Sequence, residues 1–575
     1  MNVTLVGDGP AASAVAAAVA DTPASVARGE VEAVASADLG VVVGTTGEST
    51  FERANAIARQ AGVPWVAVEV GGVGGRAVDD VRASVAGFAP ATGCYDCLRT
   101  RVAANADEDD AADASANAAD ARLAGAVAGR EAVRLLSGEE SPVLGGVIEL
   151  PHEVRQFLPV PGCPTCGDAP DRTLELSSHE RGLEEALTAA EGALDPRVGV
   201  VGEVGEAESF PAPYYLARVA DTTGFSDVEA APQAAGVDAD WNAAFMKALG
   251  EGMERYCAGV YRAEQFRLDR PSDVDGAVPP SRFVGAEDTD EAIPWVVGRD
   301  LAAAVGAVDT ADVWLPAELV RFPPPEHRLG SSITTGLGLG NSSVEAVLSG
   351  LYEVIERDAT MLAWYSTFDP LGLAVDDEGF DALVGRARCV GLEVTPLLVT
   401  QDVDVPVVTV AVHREGEWPR FAVGSGADLD PAAAARSALA EALQNWMELR
   451  GMGPDEAADE SGAIGRYADF PGSTREMVAV DGRVPAESVG PDEVPTGETE
   501  LRAVVERVAD AGLTPYAART TTRDVASLGF EAVRVLVPGA QPLFTDDSTF
   551  GERAGAVPAE LGFDPWLDRE HHPYP

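Results

Sequence analysis

The sequence predicts an α/β fold for residues 1–170, a connection over residues 171–196, and a larger second domain over residues 197–575. Three observations support this division. Short apolar runs alternate with helix-like segments in the first part, which is typical of a parallel sheet covered by helices. A polar, helix-prone stretch then interrupts the chain, and a different composition begins at VGVVGEV. In the second part, two segments of helical periodicity repeat the pattern E-x-x-E-R.

The elements of the first domain follow one another in a regular order. The run VTLV predicts a buried strand, GDGPAA predicts a tight turn, and ASAVAAAVAD predicts a helix of small residues. A strand over Asp38–Gly44, a helix around Ser49–Gln60 and a strand over Pro64–Val70 continue the alternation. The G-x-G turn resembles a dinucleotide-binding fingerprint, but Ala12 replaces its third glycine. The glycines can therefore equally serve the turn alone.

Four of the six cysteines form two C-x-x-C pairs, GCYDC and GCPTC. The sequence shows no signal peptide and is expected to be cytoplasmic, where disulfides are rare. A structural zinc site of four thiolates is the better explanation, and a pair of redox dithiols is the alternative. No histidine accompanies the pairs, so the metal would hold the fold rather than run chemistry. The predicted zinc ligands are Cys94, Cys97, Cys163 and Cys166.

Acidic residues dominate the charge of the chain. Its 94 acidic and 41 basic residues give a net charge of −53, which argues against nucleic acid as a partner. The acidic residues are spread along the whole length, which favours a halophilic protein whose self-repulsion is screened by multimolar salt. No stretch of about 18 apolar residues predicts a membrane span. The acidity therefore indicates habitat more than function.

The two E-x-x-E-R segments carry the candidate active site. Over Ser343–Trp364 the apolar residues recur with a period near 3.6, which predicts an amphipathic helix. Its glutamates share one neighbouring face. Such faces can be ordinary solvated surfaces with local ion pairs. If they face inward, the carboxylates suit Mg²⁺, which takes oxygen ligands and keeps phosphate oxygens and water. The repeated residues are Glu251, Glu254 and Arg255, then Glu353, Glu356 and Arg357.

The common ATP-binding motifs are absent from the sequence. There is no G-x-x-x-x-G-K-[ST], and the single lysine, Lys247, stands in no P-loop or kinase context. Bound phosphate would have to be held by Mg²⁺, arginine and backbone amides. The glycine run over Thr334–Asn341 leads directly into a predicted helix and could supply those amides. At the start of that helix, Ser342 and Glu345 also fit a capping box.

These pieces resemble the YcaO family, whose ATP fold lacks a P-loop and is built around E-x-x-E-R helices. The resemblance covers about residues 197–575 and rests on KALGEGMERYC, the glycine loop, SSVEAVLSGLYEVIERDATMLAW and DPAAAARSALAEALQNWME. It implies an α+β domain that binds ATP, and a supporting role for Glu441-x-x-Gln444. It implies that Mg²⁺ is held by Glu251, Glu254, Glu353 and Glu356, and that the nucleotide is contacted by Glu345, Arg357, Asn341 and Arg436.

The first domain resembles the ThiF-like domain that is often fused ahead of a YcaO domain in azole-type peptide biosynthesis. That resemblance includes the paired C-x-x-C zinc site and implies a domain that binds the leader of a precursor peptide. The sequence closes with HHPYP. Family cyclodehydratases often end in P-x-P-x-P with a terminal carboxylate that reaches the active site, which implies a catalytic role for Pro575. His571 replaces the first proline, and a frayed terminus is the alternative.

The resemblance implies an enzyme that uses ATP to modify a peptide backbone, as in bacteriocin biosynthesis. A Cys, Ser or Thr side chain as nucleophile gives an azoline, whereas external sulfide gives a thioamide. The fused ThiF-like domain favours the azoline. Modification of a ribosomal or other protein, and a leader-binding scaffold without catalysis, are the alternatives. The expected partners are a precursor peptide or protein substrate, a flavin dehydrogenase or a sulfur donor, and a second copy of the chain in a homodimer.

Overall fold

The structure is a computed structural model that describes residues 1–106, 116–151, 153–167, 169–306, 312–330, 332–459, 463–545 and 548–575. Within these residues an N-terminal domain with one seven-stranded sheet precedes a C-terminal domain with three sheets and the longest helices. The predicted order of an α/β domain and an α+β domain is confirmed. None of the described helices is long and apolar enough to cross a membrane.

The N-terminal sheet is parallel on one side and antiparallel on the other. Its strands are β1 (Asn2–Val6), β2 (Ser25–Arg28), β3 (Leu39–Thr45), β4 (Trp65–Val70), β5 (Ala83–Phe88), β6 (Gly146–Leu150) and β7 (Glu153–Gln156). The order is β2-β1-β3-β4-β5-β6-β7, with parallel pairing as far as β4 and antiparallel pairing beyond it. The predicted parallel sheet is therefore confirmed for the first four strands, and an antiparallel edge extends it. Strand β2 escapes prediction because its four residues are largely exposed at the edge.

Helices cover both faces of this sheet, which explains why its central strands read as continuous apolar runs. They are α1 (Gly9–Ala20), α2 (Ser49–Ala61), α3 (Tyr95–Ala104) and α4 (Ala118–Leu136). Helices α1 and α4 pack backbone to backbone, since a Cβ on Gly125 would lie 2.2 Å from the carbonyl oxygen of Ala11. The alanine-rich composition of α1 thus serves a close helix–helix contact.

The connection between the domains lies along the C-terminal domain. It contains α5 (Leu183–Ala190). Leu174 is buried in a C-terminal cluster, and its carbonyl oxygen accepts a hydrogen bond from Arg299 at 2.7 Å. The backbone amide of Ser177 donates to the hydroxyl of Ser343 at 2.8 Å. The connection is therefore fixed to the start of the helix that carries the second E-x-x-E-R motif.

Three sheets form the C-terminal domain. The first is antiparallel: β8 (Val201–Glu208), β9 (Tyr214–Val219) and β10 (Gln233–Val237). The second has the order β11-β12-β20-β21-β14, with β13 also paired to β12; its strands are β11 (Arg267–Asp269), β12 (Ile293–Asp300), β13 (Asp312–Pro316), β14 (Leu337–Gly340), β20 (Tyr516–Arg519) and β21 (Glu531–Leu536). The third has the order β18-β17-β16-β15-β19; its strands are β15 (Leu371–Ala374), β16 (Glu393–Leu398), β17 (Val407–His413), β18 (Phe421–Ala427) and β19 (Arg483–Pro485).

Three long helices of this domain, α6, α9 and α11, each pack against a sheet and carry the candidate site. The helices are α6 (Trp241–Gly259), α7 (Leu301–Val305), α8 (Ala317–Val320), α9 (Ser343–Trp364), α10 (Glu378–Cys389), α11 (Pro431–Ala457), α12 (Ile464–Tyr467), α13 (Gly472–Val478), α14 (Gly497–Asp510), α15 (Arg523–Ser527) and α16 (Arg553–Leu561). The predicted helix over Ser343–Trp364 forms over those residues. Helix α11 is interrupted at Gly453, where φ is 79°.

Candidate functional site

The candidate site is built from three strand–turn–helix units: β10 with α6, β14 with α9, and β18 with α11. Each strand carries a glycine against which the helix backbone packs. A Cβ on Gly236 would lie 2.3 Å from the carbonyl oxygen of Ala244. A Cβ on Gly338 would lie 2.2 Å from that of Ala346, and a Cβ on Gly426 would lie 2.5 Å from that of Ala434. Only glycine permits this approach.

The three units share one spacing of functional positions. An Asp or Ser caps each helix by accepting hydrogen bonds from amides of the first turn. Two positions on the helix follow at the distance of an E-x-x-E motif, although the third unit ends in glutamine. The glycine, the cap and the two positions are Gly236, Asp240, Glu251 and Glu254; Gly338, Ser342, Glu353 and Glu356; and Gly426, Asp430, Glu441 and Gln444.

The first glutamate of every unit is fixed by a backbone amide of its own strand segment. Glu251 accepts from the amide of Ala235 at 2.7 Å. Glu353 accepts from that of Gly336 at 2.9 Å. In the third unit, Glu441 accepts from the amide of Ser425 at 2.6 Å. The same bond in three places locks the helix rotation, so the second position of each motif is aimed in an equivalent way.

The second glutamates, Glu254 and Glu356, differ in their partners. Glu356 is buried, and its Oε1 accepts a hydrogen bond from the hydroxyl of Ser425 at 2.6 Å. Glu254 is partly buried and makes no hydrogen bond or ion pair with a described residue. Both carboxylates keep oxygen lone pairs that could serve a metal ion.

Arginines with unsatisfied donors surround the carboxylates. Arg357 lies 3.7 Å from Glu356 and 3.5 Å from Glu441, and its Nη1 is buried without a hydrogen-bond acceptor. Arg534 on β21 is buried and forms no ion pair with a described residue, and its Nε and Nη1 are unpartnered. These N–H groups are donors suited to phosphate oxygens.

Burial and mutual repulsion raise the pKa values of the carboxyl groups in the site. Burial, and then the charges of Glu251 and Glu353, raise the pKa of Glu254 to about 8. Burial raises the pKa of Glu356 to about 7 although Arg357 opposes the shift, and it also raises the pKa of Glu353. Carboxyl groups with pKa values raised in this way are typical of functional sites, and a bound cation would lower those pKa values again.

Asn341 and Glu345 lie together at the start of α9. The backbone amide of Asn341 donates to Glu345 Oε2 at 3.0 Å, and its side-chain amide donates to both carboxylate oxygens. The hydroxyl of Ser342 accepts from the amide of Glu345 at 3.3 Å, which is one of the two bonds of the predicted capping box. The second bond is replaced, because the Glu345 carboxylate accepts from the amide of Asn341. Glu345 remains exposed at the mouth of the glycine run.

Arg436 stands apart from this pair. It donates to Asp377 at 2.5 Å and lines a cavity of about 140 Å³ between α6, α10 and α11. Lys247 lines the same cavity and forms an ion pair with Asp238 at 2.7 Å. On α6, Lys247 shares a helix face with Glu251. The single lysine of the chain therefore lies beside the candidate site, a placement that sequence reasoning missed.

One further residue of the site escapes prediction, and another is predicted only in a supporting role. Arg534 belongs to no motif, and an isolated arginine on a strand gives no signal in the sequence. Glu441 was recognised only as support, because Gln444 breaks the repeated motif; its contacts with Arg357 and Ser425 place it within the site. The shared spacing from Gly426 would have identified it.

The end of the sequence packs against the same region. Tyr574 is buried, and its hydroxyl lies 3.3 Å from that of Thr409. Thr409 on β17 is directly opposite Ser425 on β18, the partner of Glu356. The buried ring of His572 contacts the carbonyl oxygen of Phe544 at 2.7 Å. Residues preceding Pro575 are thus held beside Glu356.

The four predicted zinc ligands meet in the N-terminal domain. Their sulfur atoms lie within 4.8 Å of one another and all four cysteines are buried and free of disulfides. The cluster could hold a metal ion. Arg523 from α15 donates to the carbonyl oxygen of Cys166 at 2.7 Å and lies 3.2 Å from its sulfur, which offsets thiolate charge. The neighbouring Asp524 forms a buried ion pair with Arg101 on α3 and accepts from Tyr256 on α6 at 2.7 Å.

The residues fit ATP and Mg²⁺ but not an all-protein metal cage at the glutamates. Within the described part of the chain, the cysteines alone bring three or more ligand atoms within 4.8 Å of one another. A more open set of carboxylates suits Mg²⁺, which retains water and phosphate oxygens. The unpartnered arginine donors would then meet the phosphates.

The C-terminal domain matches a known protein family. The family model of the YcaO cyclodehydratases, described as ATP- and Mg²⁺-binding, matches residues 235–541. An uncharacterized protein of Methanothermobacter thermautotrophicus is 30% identical over 339 residues, which cover 56% of this chain and 84% of that protein.

Two solved structures share the fold. One is a heterocyclase in complex with substrate and cofactor, with a TM-score of 0.74 and 22% identity over 100% of this chain and 85% of its own. The other is the heterocyclase TruD, with a TM-score of 0.68 and 20% identity over 98% of this chain and 82% of its own. The likeness includes the N-terminal domain. Because the family model spans more than half of the chain, the protein belongs to the YcaO family and is an ATP-dependent, cyclodehydratase-like enzyme.

Proposed function

We propose that this enzyme closes azoline rings in a ribosomally made peptide at the expense of ATP. One observation carries the proposal: two E-x-x-E-R helices of a YcaO domain bring their partly or fully buried carboxylates together, beside arginines that keep buried N–H groups without an acceptor. A peptide amide resists such ring closure because its oxygen is a very poor leaving group. An enzyme must therefore convert that oxygen into a better one.

The proposed reaction activates the amide oxygen as a phosphate ester. A Cys, Ser or Thr side chain of the peptide adds to the preceding carbonyl carbon and loses its proton, which leaves an oxyanion. The oxyanion attacks the γ-phosphorus of ATP, and ADP leaves. The amide nitrogen then gives up its proton while the C–O bond breaks, so phosphate leaves and the C=N bond of the ring forms. Bound Mg²⁺ would neutralise the transferring phosphoryl group.

The side chains divide into two sets in this proposal. Carboxylates of the first two units hold Mg²⁺, and the raised pKa values of Glu254 and Glu356 fall once the cation is present. The second set contacts the nucleotide, with arginine and amide donors on its phosphates. The magnesium set is Glu251, Glu254, Glu353 and Glu356; the nucleotide set is Asn341, Glu345, Arg357 and Arg436.

The tail would act on the peptide side of the site. Tyr574 is anchored beside the strand that positions Glu356, so the adjacent Pro575 is within the same neighbourhood. We assign Pro575 the role of accepting or orienting a proton at the reacting amide. The proline residues on both sides of Tyr574 limit the conformations of the tail and lower the entropy cost of holding it there.

The N-terminal domain would bind the peptide leader and be held together by zinc. Tetrahedral coordination by four cysteines is the usual structural zinc site. Six free cysteines are consistent with a reducing cytoplasm. A flavin dehydrogenase acting on the product would convert azolines to azoles, and nucleic acid is not a partner in this scheme.

The test uses Glu356→Gln, which preserves side-chain size and removes one carboxylate. The variant is compared with wild type and with Glu506→Gln, an exposed glutamate of α14. With ATP, Mg²⁺ and Cys/Ser/Thr-rich peptides encoded near the gene, we expect one water lost per ring by mass spectrometry, together with ADP and phosphate. Glu356→Gln should reduce this rate at least about 100-fold, and Glu506→Gln should not change it.

Other outcomes would reassign the function. Gain of sulfur in place of oxygen, dependent on added sulfide, would identify a thioamide-forming enzyme. Release of AMP and pyrophosphate would indicate adenylation. Peptide binding without any ATP turnover would indicate a leader-binding scaffold. Equal turnover by wild type and Glu356→Gln would show that the glutamates of the two helices are surface residues without a catalytic role.

A further inference from the structure

An arginine-lined cavity lies between the cysteine loop, the interdomain connection and the end of α6, away from the glutamates. Its volume is about 290 Å³. Its wall includes four arginines, although the chain as a whole carries a net charge of −53. Among the described lining residues the one acidic side chain is Asp171, which is largely exposed. The four arginines are Arg172, Arg262, Arg519 and Arg523.

Three of these arginines have protein partners and one does not. Arg262 pairs with Asp227 at 2.8 Å, and Arg519 pairs with Glu531 at 2.8 Å. Arg523 is turned toward Cys166. Arg172 forms no hydrogen bond or ion pair with any described residue. Burial, and then the charge of Arg519, lower its pKa to about 10.

A fifth arginine lies behind the wall. Arg321 is 1% exposed and lies over the ring of Tyr261, a lining residue, at 5.6 Å. Its Nη1 donates to the carbonyl oxygen of Cys257 at 3.0 Å, while its Nε and Nη2 are buried without an acceptor. No described carboxylate lies within ion-pair distance. Burial and the nearby charge of Arg172 lower its pKa well below the usual value.

Such an arrangement is costly unless a ligand completes it. A buried cation such as Arg321 destabilises a fold when it has no counter-ion, and the charge of the partly buried Arg172 nearby adds repulsion. The buried Asp524 is already engaged by Arg101 and Tyr256. The buried Glu318 accepts from the backbone amides of Arg328 and Leu329 and is not within ion-pair distance of Arg321. The cysteine thiolates account for Arg523 alone. An anion in the cavity would satisfy the remaining charge.

The cavity is also too large and too apolar for an inorganic ion alone. Phe225, Val260 and Tyr261 contribute apolar or aromatic surface, and Thr521 and Thr522 contribute hydroxyls. Small-molecule sites combine a mainly apolar lining with a few placed polar groups. The lining therefore suits a molecule with an anionic end and an apolar body.

We propose that this cavity binds a small organic anion that carries a carboxylate or phosphate group. Arg172 and Arg519 contact the anionic group, and its apolar body lies against Phe225 and Tyr261. The ligand is either a free metabolite or an acidic side chain of the bound peptide. Since its walls come from the cysteine loop, the connection and the C-terminal domain, the ligand holds these three parts together.

Phenyl phosphate is the probe, titrated into the full chain by calorimetry at constant chloride concentration. We expect one site per chain. Arg172→Gln should weaken binding at least tenfold, whereas Arg53→Gln, an exposed arginine of α2, should not change it. Arg357→Gln should also retain the site, which separates it from nucleotide binding. Phenyl phosphate should raise the thermal midpoint of the wild type but not that of Arg172→Gln.

Two further probes identify the source of the anion. Stronger binding of phenyl phosphate than of inorganic phosphate supports the apolar subsite, and equal binding overturns that part. A tetraglutamate peptide that binds with the same dependence on Arg172 assigns the anion to a peptide side chain. Absence of binding at millimolar concentrations, or binding that is lost in Arg357→Gln and kept in Arg172→Gln, overturns the proposal.

A measurement on the wild type covers the case in which Arg172→Gln does not fold. Phenylglyoxal modifies accessible arginines, and mass spectrometry locates the adducts. Phenyl phosphate should slow modification of Arg172 at least about fivefold and leave Arg53 unchanged. Equal modification of Arg172 with and without the probe overturns the proposal.

Discussion

Glu254 has the least protein support of the four candidate magnesium ligands. Glu356 is held by Ser425, and Glu251 and Glu353 are held by backbone amides, whereas Glu254 has no described partner. Its proton affinity is instead governed by burial and by two neighbouring carboxylates. A site that binds its proton this tightly in the absence of metal is ready to exchange that proton for a cation.

This state predicts an unusual pH dependence for protein stripped of divalent cations. The folded pKa of Glu254 is about 8, above the unfolded value near 4.5, so the folded state holds more protons between these values. The contribution of Glu254 to the free energy of unfolding is therefore fully present below about pH 4.5 and is lost as the pH rises through 8. We expect Glu254→Gln to remove this loss and to raise the thermal midpoint at pH 9 by a few degrees relative to wild type.

The comparison is made by differential scanning calorimetry from pH 5 to 9 in chelator, with Glu506→Gln as the matched control. At pH 5 the midpoints of Glu254→Gln and wild type should coincide. Addition of Mg²⁺ should stabilise the wild type at high pH more than the variant. A constant difference between the two proteins across this pH range would contradict the assignment.

At the scale of elements, the three strand–turn–helix units explain which parts of the site the sequence could predict. Helix α9 is predicted to its bounds because its apolar period is uninterrupted. The glutamates of α6 and α9 share a motif and are found together. Arg534 lies on a strand that carries no motif, and Lys247 lies on the helix face of Glu251 but outside the E-x-x-E-R motif, so only the fold reveals them. The sheet order and the helix packing bring these two side chains to the site.

Two short strands are not predicted from the sequence. β2 lies at an edge and is largely exposed, so no alternation marks it. β14 has the sequence LGLG, which reads as a glycine loop before a helix. Its glycines are required because α9 packs directly on the strand backbone. The glycine pattern therefore predicts an anion-binding turn, whereas in the structure these residues form strand β14.

Shortening the C-terminal tail can test its role in the reaction independently of its role in stability. Tyr574 is buried, so deletion of Pro573–Pro575 would also remove core packing. Deletion of Pro575 alone spares Tyr574. We expect this deletion to lower peptide modification at least about tenfold and to change ATP affinity and the thermal midpoint little.

Mass spectrometry of the peptide and calorimetric titration of a nucleotide analogue provide the two readouts. Tyr574→Phe is the control for packing, since it keeps the ring and loses only the hydroxyl near Thr409. Full activity after deletion of Pro575 would remove the tail from the reaction and would weaken the cyclodehydratase proposal against thioamide formation.

At the scale of the whole molecule, α15 joins the cysteine cluster to the catalytic domain. Arg523 contacts Cys166, and Asp524 contacts both Arg101 of the N-terminal domain and Tyr256 of α6. Tyr256 directly follows the first E-x-x-E-R motif. The order of the cysteine loop is therefore linked through two consecutive residues to the helix that carries Glu251 and Glu254.

Purified, reduced protein should contain about one zinc ion per chain by elemental analysis. Cys163→Ser should lose that zinc and lower the thermal midpoint of the N-terminal domain by several degrees, because metal binding contributes directly to folding. Nucleotide binding should change less than stability does. Cys389→Ser, an exposed cysteine outside the cluster, is the control. A reduced wild type free of metal would contradict the zinc assignment and leave four thiols as a redox or packing group.

Lys247 is the only lysine in 575 residues, and it lines the cavity that also contains Arg436. Reagents that acylate amines therefore have one side-chain target besides the α-amine of the chain, and peptide mapping separates the two. The rate of acylation at Lys247 reports directly whether the cavity is occupied, without an engineered label. A fluorescent or isotopic ester would turn this native side chain into a built-in probe of ligand binding beside α6.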